Sequence, residues 1–269
     1  MKTTSCVYAH TLLATCFASA CSFTLVQASG KITVEERAVS GFDRVALCGK
    51  GKLVLAQSET ETVKIEAEDN LLPDIVTEVQ GSTLKIGLGC NGERVHNPPG
   101  RPPTYRVTLK TLRGLSVSGP GRLTADTLRA DAIELQVSGS GHLKVGELTA
   151  HKAEARVSGS GGVTLGALNA SVLKTNIAGS GTVRVAGKVP AQQIDISGSG
   201  TYEAADATSQ TTTASISGSG EVTVWTNESL NVEISGSGKL RYYGEPQLTP
   251  TPSGSSAIQA LGVHPSQQG

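Results

Sequence analysis

The chain has 269 residues, with 23 Lys plus Arg against 23 Asp plus Glu, 32 glycines and only 3% aromatic residues. A net charge of zero gives no field to gather nucleic acid or an anionic membrane, so generic binding to either is excluded. So much glycine with so few aromatics also argues against a helical bundle and against recognition built mainly on aromatic platforms.

Residues 1–28 carry one charged side chain, Lys2, and an apolar stretch from Leu12 to Val26 that ends in "VQAS". Val26 and Ala28 are small residues at the −3 and −1 positions of a signal-peptidase site. The reading is a signal peptide over 1–28, cleaved after Ala28, and a protein exported to the periplasm or cell surface. An uncleaved anchor is a second reading, for which the apolar core is short. Lipoprotein processing at Cys21 is a third, although no Leu stands three residues upstream. Beyond the leader only Cys48 and Cys90 remain. In an exported domain two cysteines suit one disulfide, with two separate buried thiols as the alternative.

From residue 42 the chain alternates apolar and polar positions. "FDRVALCGKGKLVL" places Val45 and Leu47 before a glycine corner and Leu53 and Leu55 after it. "TVKIEAED" and "STLKIGLG" follow as strands, separated by "NLLPDIVTEVQG". In that separator Leu71, Leu72, Ile75 and Val76 form a short helical turn or capping strand over one end of the structure. "CNGERVHNPPGRPP" (90–103) then breaks the pattern, as a stiff connector or as a binding excursion in which Arg94 and Arg101 are candidate ligand contacts.

The rest of the chain repeats. "SGSG" or a near-copy begins at 118, 138, 158, 178, 197, 217 and 235, in steps of 20, 20, 20, 19, 20 and 18. A disordered linker has no reason to keep such a period, whereas the coils of a solenoid do. One residue before the motif stand Val117, Val137, Val157, Ile177, Ile196, Ile216 and Ile234, and aliphatic residues recur two and four places after it. This is the period of half-buried strands. Each unit therefore reads as strand, corner, strand and return, and stacked units build a parallel β-solenoid with coils of about 20 residues. The corners fall on Gly119, Gly121, Gly139, Gly141, Gly159, Gly161, Gly179, Gly181, Gly198, Gly200, Gly218, Gly220, Gly236 and Gly238. There a Cβ would collide with the neighbouring coil, and the corner serines are placed to bond backbone groups through their hydroxyls. One domain is expected over 41–262, followed by a disordered tail at 263–269.

Chemistry is scarce. "GKGK" at 49–52 lacks the spacing and the helix of a phosphate loop. The position two after each corner is aliphatic or Tyr, so no calcium ladder runs along the repeats. His142 and His151 have no evident third ligand for zinc. No strand–turn–helix elbow presents a serine nucleophile. Asp195, Glu203, Glu221 and Glu233 are the carboxylates from which a glycan-cleaving site would have to be built. Trp225 follows the inward Val224 and is expected to point outward, as a ligand contact or as cover for the C-terminal cap. No cofactor, metal or catalytic residue is expected.

"FDRVALCGKGKLVLAQ", "VKIEAEDNLLPDIVTEVQGSTLKIGL" and the "VSGSG" rows together resemble a bacterial family described as putative auto-transporter adhesin, head GIN domain. The resemblance extends from about Gly41 to Gly262. It implies a right-handed parallel β-helix without a catalytic constellation and with a role in adhesion. The function expected is thus an exported, non-enzymatic interaction module that presents a polar ladder to a glycan or cell-surface protein. A polysaccharide lyase or hydrolase and a purely structural envelope protein are the alternatives.

Overall fold

The computed structural model describes residues 29–90 and 100–267. The leader with Ala28 and Cys21, and Arg94 within the connector, lie outside the described residues. The chain begins with β1 (Ile32–Arg37), β2 (Arg44–Cys48), β3 (Lys52–Gln57) and β4 (Thr62–Glu68). A 3-10 turn at Leu72–Asp74 leads to β5 (Val76–Gln80), β6 (Thr83–Gly87), β7 (Thr104–Leu109) and β8 (Gly114–Ser118). Then come the long ribbons β9 (Arg122–Gly139), β10 (His142–Gly159) and β11 (Gly162–Gly179). The stack ends with β12 (Thr182–Lys188), β13 (Ala191–Gly198), β14 (Thr201–Gly218), β15 (Glu221–Gly236), β16 (Lys239–Tyr243), β17 (Gln247–Gly254) and β18 (Ala257–Gly262). The fold is a parallel β-solenoid of about 7 turns.

Register in the middle coils follows the sequence period: Arg122 pairs with His142, and His142 with Gly162. The return segment is more than a connector, because it is a third strand face. Along β10 the inward residues are Leu143 and Val145, then Leu148 and Ala150, then Ala153, Ala155 and Val157. Between these groups two successive residues, Gly146–Glu147 and His151–Lys152, are not buried, and there the ribbon bends. Each coil is therefore three-sided. Face A precedes the glycine corner, face B follows it, and face C returns. Side chains of one column stack on their copies about 4.8 Å away. Each fully buried Leu, Val or Ile contributes roughly 1.5–3 kcal/mol.

The two glycines of the corner at 138–141 do different jobs. Gly139 has φ +98°, where L side chains are strained, but an added Cβ would lie 3.4 Å from Gly119, close to ordinary contact. Gly141 needs no special φ, yet its Cβ would fall 2.7 Å from the Gly119 carbonyl oxygen and 2.6 Å from Val117 Cγ1. At this corner backbone conformation governs the first glycine and collision the second. At Gly159, Gly179, Gly198, Gly218 and Gly236 an added Cβ would also lie 2.6–2.8 Å from a carbonyl oxygen of the preceding coil, so the expected collision holds there for the first glycine too. The corners are joined by backbone amides: Ser160 and Gly161 both donate to the Gly139 carbonyl, at 2.9 and 2.8 Å. Of the corner hydroxyls among the described residues, only Ser253 makes the expected backbone bond, to the Ile234 carbonyl at 3.2 Å.

The N-terminal end departs from the repeat. On face A, β2 pairs with β6, which pairs antiparallel with β5. On face B, β3 pairs with β7, then β4 and β1 follow antiparallel. The 3-10 turn closes the opening with Leu71, Leu72 and Ile75 buried, while Val76 starts β5. Arg37 reaches across to donate to the Leu72 carbonyl at 2.9 Å. Cys48 and Cys90 form a disulfide with Cα atoms 5.2 Å apart, tying the first corner to the segment after β6.

At the C-terminal end Pro265–Gln267 forms a 3-10 turn and His264 is only 8% exposed. Trp225 pairs with Thr208, between the inward columns of Ala204 with Val224 and of Ser209 with Thr226, so it faces outward as the alternation requires. It is only 7% exposed because the His264 ring stacks on it at 4.1 Å and Tyr243 packs edge-on against the same imidazole. Of its two expected roles, the structure places it as cover at the C-terminal cap.

Candidate functional site

The aliphatic columns fill the interior, so ligands meet only the outer faces. The few polar groups inside are structural. Tyr202 donates to Gln192 Oε1 at 2.5 Å, and burial pushes the Tyr202 and Tyr105 phenols far above their ordinary range.

Three outer hollows are built by different devices. The first, of about 530 Å³, exists because the N-terminal coils have no face C. After β3 the chain leaves to form β4, and residues 110–113 cross directly from face B to face A. The first strand of face C, within β9, thus has an unpaired lower edge. Gln57 covers it by donating to the Arg129 carbonyl at 2.8 Å and accepting from the Arg129 amide at 2.6 Å. Lys110, Arg113, Arg129 and Lys152 ring this step. At its rim Lys110 holds the Glu59 carboxyl below its usual range, and Glu59 raises Lys110 in return.

The second hollow, of about 400 Å³, lies on face A across the middle coils. One wall is the outward column Gln136, Arg156, Asn176, Asp195 and Ser215, and the other is the small-residue column Ser158, Ala178, Ser197 and Ser217. Because each residue is the structural copy of the next, planar polar side chains recur once per coil along the solenoid axis. Their positions are fixed by a chain of contacts that begins at the step. Arg44 reaches Glu134 at 3.1 Å, and Gly114 permits this, since a Cβ there would meet Arg44 Nη1 at 2.8 Å. Arg156 pairs with Glu134 and, at 2.7 Å, with Glu154, and Asn176 donates to that same Glu154 oxygen at 3.5 Å. Gln193 donates to Asp195 at 3.3 Å. Such half-exposed pairs add little stability, about 0–1 kcal/mol each, but they orient the groove.

The third hollow, of about 530 Å³, runs beside face B near the C-terminal end and includes Arg184, Glu203, Asp206, Arg241 and Tyr243.

The carboxylates considered for cleavage are divided between faces. Asp195 and Glu233 share the outward column of face A, with Ser215 between them. Glu203 lies on face B, held by Arg184 at 2.5 Å, and Glu221 lies between Lys239 at 3.7 Å and Arg241 at 3.5 Å. The four are not brought into one groove. Among the described residues no group of three His, Cys, Asp or Glu is placed to hold a metal ion. Arg101 stands on the N-terminal part of face B, where it pairs with Glu66 at 3.6 Å and its amide donates to Glu68 at 3.2 Å. It has no part in the groove. Counting two residues back from each repeat places the groove column outward, and the Ser or Ala that opens each repeat forms the small column beside it. That the two leave a hollow shows only once the coils are stacked.

Among the described residues no helix is long and apolar enough to cross a membrane. Comparison with curated proteins returns no match. Solved structures do match. A protein of Parabacteroides distasonis ATCC 8503 described as a putative lipid binding protein superposes with a TM-score of 0.81 at 26% identity, over 88% of this chain and 99% of its own. A putative adhesin of Parabacteroides merdae ATCC 43184 gives 0.82 at 21%, over 88% and 98%. A second Parabacteroides distasonis protein, also described as a putative adhesin, gives 0.78 at 20%, over 88% and 99%. Residues 41–246 match the family described as putative auto-transporter adhesin, head GIN domain, and the chain belongs to that family.

Proposed function

We propose that this protein is an exported, non-enzymatic binding module that holds a glycan chain along face A. The observation that carries the reading is the row Gln136, Arg156, Asn176 and Asp195, which offers one planar hydrogen-bonding group per coil beside a small-residue column. Such side chains match hydroxyl-rich ligands, and a ligand running along the axis meets a new group about every 4.8 Å. A peptide added as an extra β-strand finds no place on this face, because every strand lining it is already paired on both sides. The lipid-binding relative supplies a second ligand class. Here, however, the inward columns are packed with Leu, Val, Ile and Ala, so an acyl chain would have to lie on the outside. Export through the 1–28 leader, cleaved after Ala28, places the groove in the envelope or on the cell surface.

A glycan array probed with the processed protein tests this. Asn176→Ala and Arg156→Ala should each weaken the bound glycan about tenfold, as expected for losing one or two hydrogen bonds. Arg184→Ala on face B should leave binding unchanged. Binding that ignores the face A variants, or a preference for lipid vesicles over every glycan, would remove this reading.

A further inference from the structure

We infer that β1 is a self-pairing edge through which two copies of this chain join head to head. The observation is local and unusual for this molecule. Four large hydrophobic side chains are exposed among the described residues, and two of them, Ile32 at 40% and Val34 at 63%, lie side by side on one face of β1. β1 is paired on one side only, with β4. The Asp69 amide donates to the Lys31 carbonyl at 3.0 Å, so the odd-numbered residues turn their backbone groups toward β4. By alternation Ile32, Val34 and Glu36 turn theirs toward the free edge.

The opposite end of the stack shows how such an edge is closed when pairing is avoided. There β17 carries Pro250 and Pro252 while keeping its register with Val232 and Ile234 of β15. The N–H groups it lacks are therefore those of the open side. β1 has no proline and no bulge. It also protrudes: face A gains β6 and β5 beyond the coils, whereas face B gains β7, β4 and β1. Face B thus extends one strand further, about 4.8 Å, and two such edges can meet before the capped ends collide.

The sequence of β1 selects the register. Two antiparallel copies related by a two-fold axis normal to the sheet place opposite residues on the same face, so the axis must pass through a residue position. With the axis at Val34, Lys31 faces Arg37. With the axis at Glu35, that carboxylate faces itself. With the axis at Thr33, Lys31 faces Glu35 of the second copy, and Ile32 faces its Val34, with both pairs repeated by symmetry. The outer face then buries four aliphatic side chains, and Ile32 and Val34 exchange backbone hydrogen bonds across the axis. Lys31 now contacts Asp69 at 3.3 Å with its side chain 76% exposed, and Glu35 pairs with Arg37 at 2.7 Å, so both charges are near the edge and free to turn. A single strand pair is a small interface, so the association is concentration-dependent.

Sedimentation velocity on the full chain, as processed by the expressing cell, tests the inference over about 10 µM to 1 mM. The expected result is a monomer–dimer equilibrium that Val34→Lys abolishes. Lys31→Glu and Glu35→Lys should each weaken self-association about tenfold, because each places like charges opposite one another twice. An equimolar mixture of those two variants should dimerise again, since every opposed pair becomes Glu against Lys. Recovery in the mixture also shows that both variants are folded. A chain that stays monomeric throughout, or a dimer indifferent to these changes, overturns the proposal.

Discussion

The middle coils and the two ends are stabilised in different ways. Between β8 and β15 a residue's surroundings are mostly its own copies one coil away, so the same contact is made again and again. At the ends nothing repeats. One end is held by the 3-10 turn and the Cys48–Cys90 disulfide, the other by the stack of His264 on Trp225. In the middle one substitution is felt by the backbone of the neighbouring coil, whereas at the ends it is felt by one specific partner. Repetition makes the middle uniform and intolerant, and the ends are where individual side chains decide.

The sharpest way to break this comparison is at a corner. Gly141→Val should cost about 4–5 kcal/mol in urea unfolding, because its Cβ meets backbone oxygens of Gly119 and Gly121 at 2.7 and 2.8 Å that cannot move without the whole coil. Gly139→Ala should cost less, about 1–3 kcal/mol, since its burden is the φ of +98° and not a collision. Gly262→Ala, at φ +82° with nothing within 4 Å, isolates the conformational cost alone, about 1–2 kcal/mol. Equal losses at Gly141 and Gly262 would mean that stacking contacts do not set the corner sequence.

At the N-terminal end the largest effect should come from the disulfide. Cys48→Ser removes a link between residues 42 apart, for which the chain-entropy account gives about 4 kcal/mol and measured losses run about 2–5 kcal/mol. The location of the loss matters more than its size. Hydrogen exchange should quicken in β1 and β4–β6 while β9–β11 stay protected, because the coils above keep all their own pairings. Loss of protection throughout the molecule would show that the end and the middle unfold as one unit.

The sequence tells these regions apart with uneven success. Val117, Val137, Val157, Ile177, Ile196, Ile216 and Ile234 are all buried, as a strict period read from one side of the corner requires. Face C was hidden because each bend sets two non-buried residues in a row, such as Gly146 and Glu147, which interrupts the alternation that marks a strand. Strand direction at the N-terminal end was equally hidden, since an alternating segment such as β4 looks alike in a parallel and an antiparallel pair. The groove was half legible. Its polar column follows from counting, but the contact of Arg44 with Glu134 requires Gly114 to be seen between them, 70 and 20 residues away in sequence. Trp225 faces out from its strand as a count from Val224 requires, but no local count could show that His264 of the tail lies over it.

That cover supplies the smallest test, at the C-terminal end. His264 has its ring 10° from parallel with Trp225 and its Nδ1 2.8 Å from Ser266, so the tail is fixed over the indole by one side chain. His264→Ala removes the stack and lets water reach the only tryptophan. Its emission should shift to the red, while unfolding stability falls by about 1–2 kcal/mol, the order expected for one aromatic pair and the area it covers. His264→Phe keeps a flat ring without the Ser266 and Asp206 contacts, and should restore most of the blue emission. If neither variant alters the fluorescence, the tail does not cover Trp225 in solution, and the C-terminal end is closed by β17 and β18 alone. If Ala lowers stability as much as Gly141→Val does, the end is as strongly coupled to the stack as the corners are, and the division between a repetitive middle and independent ends fails.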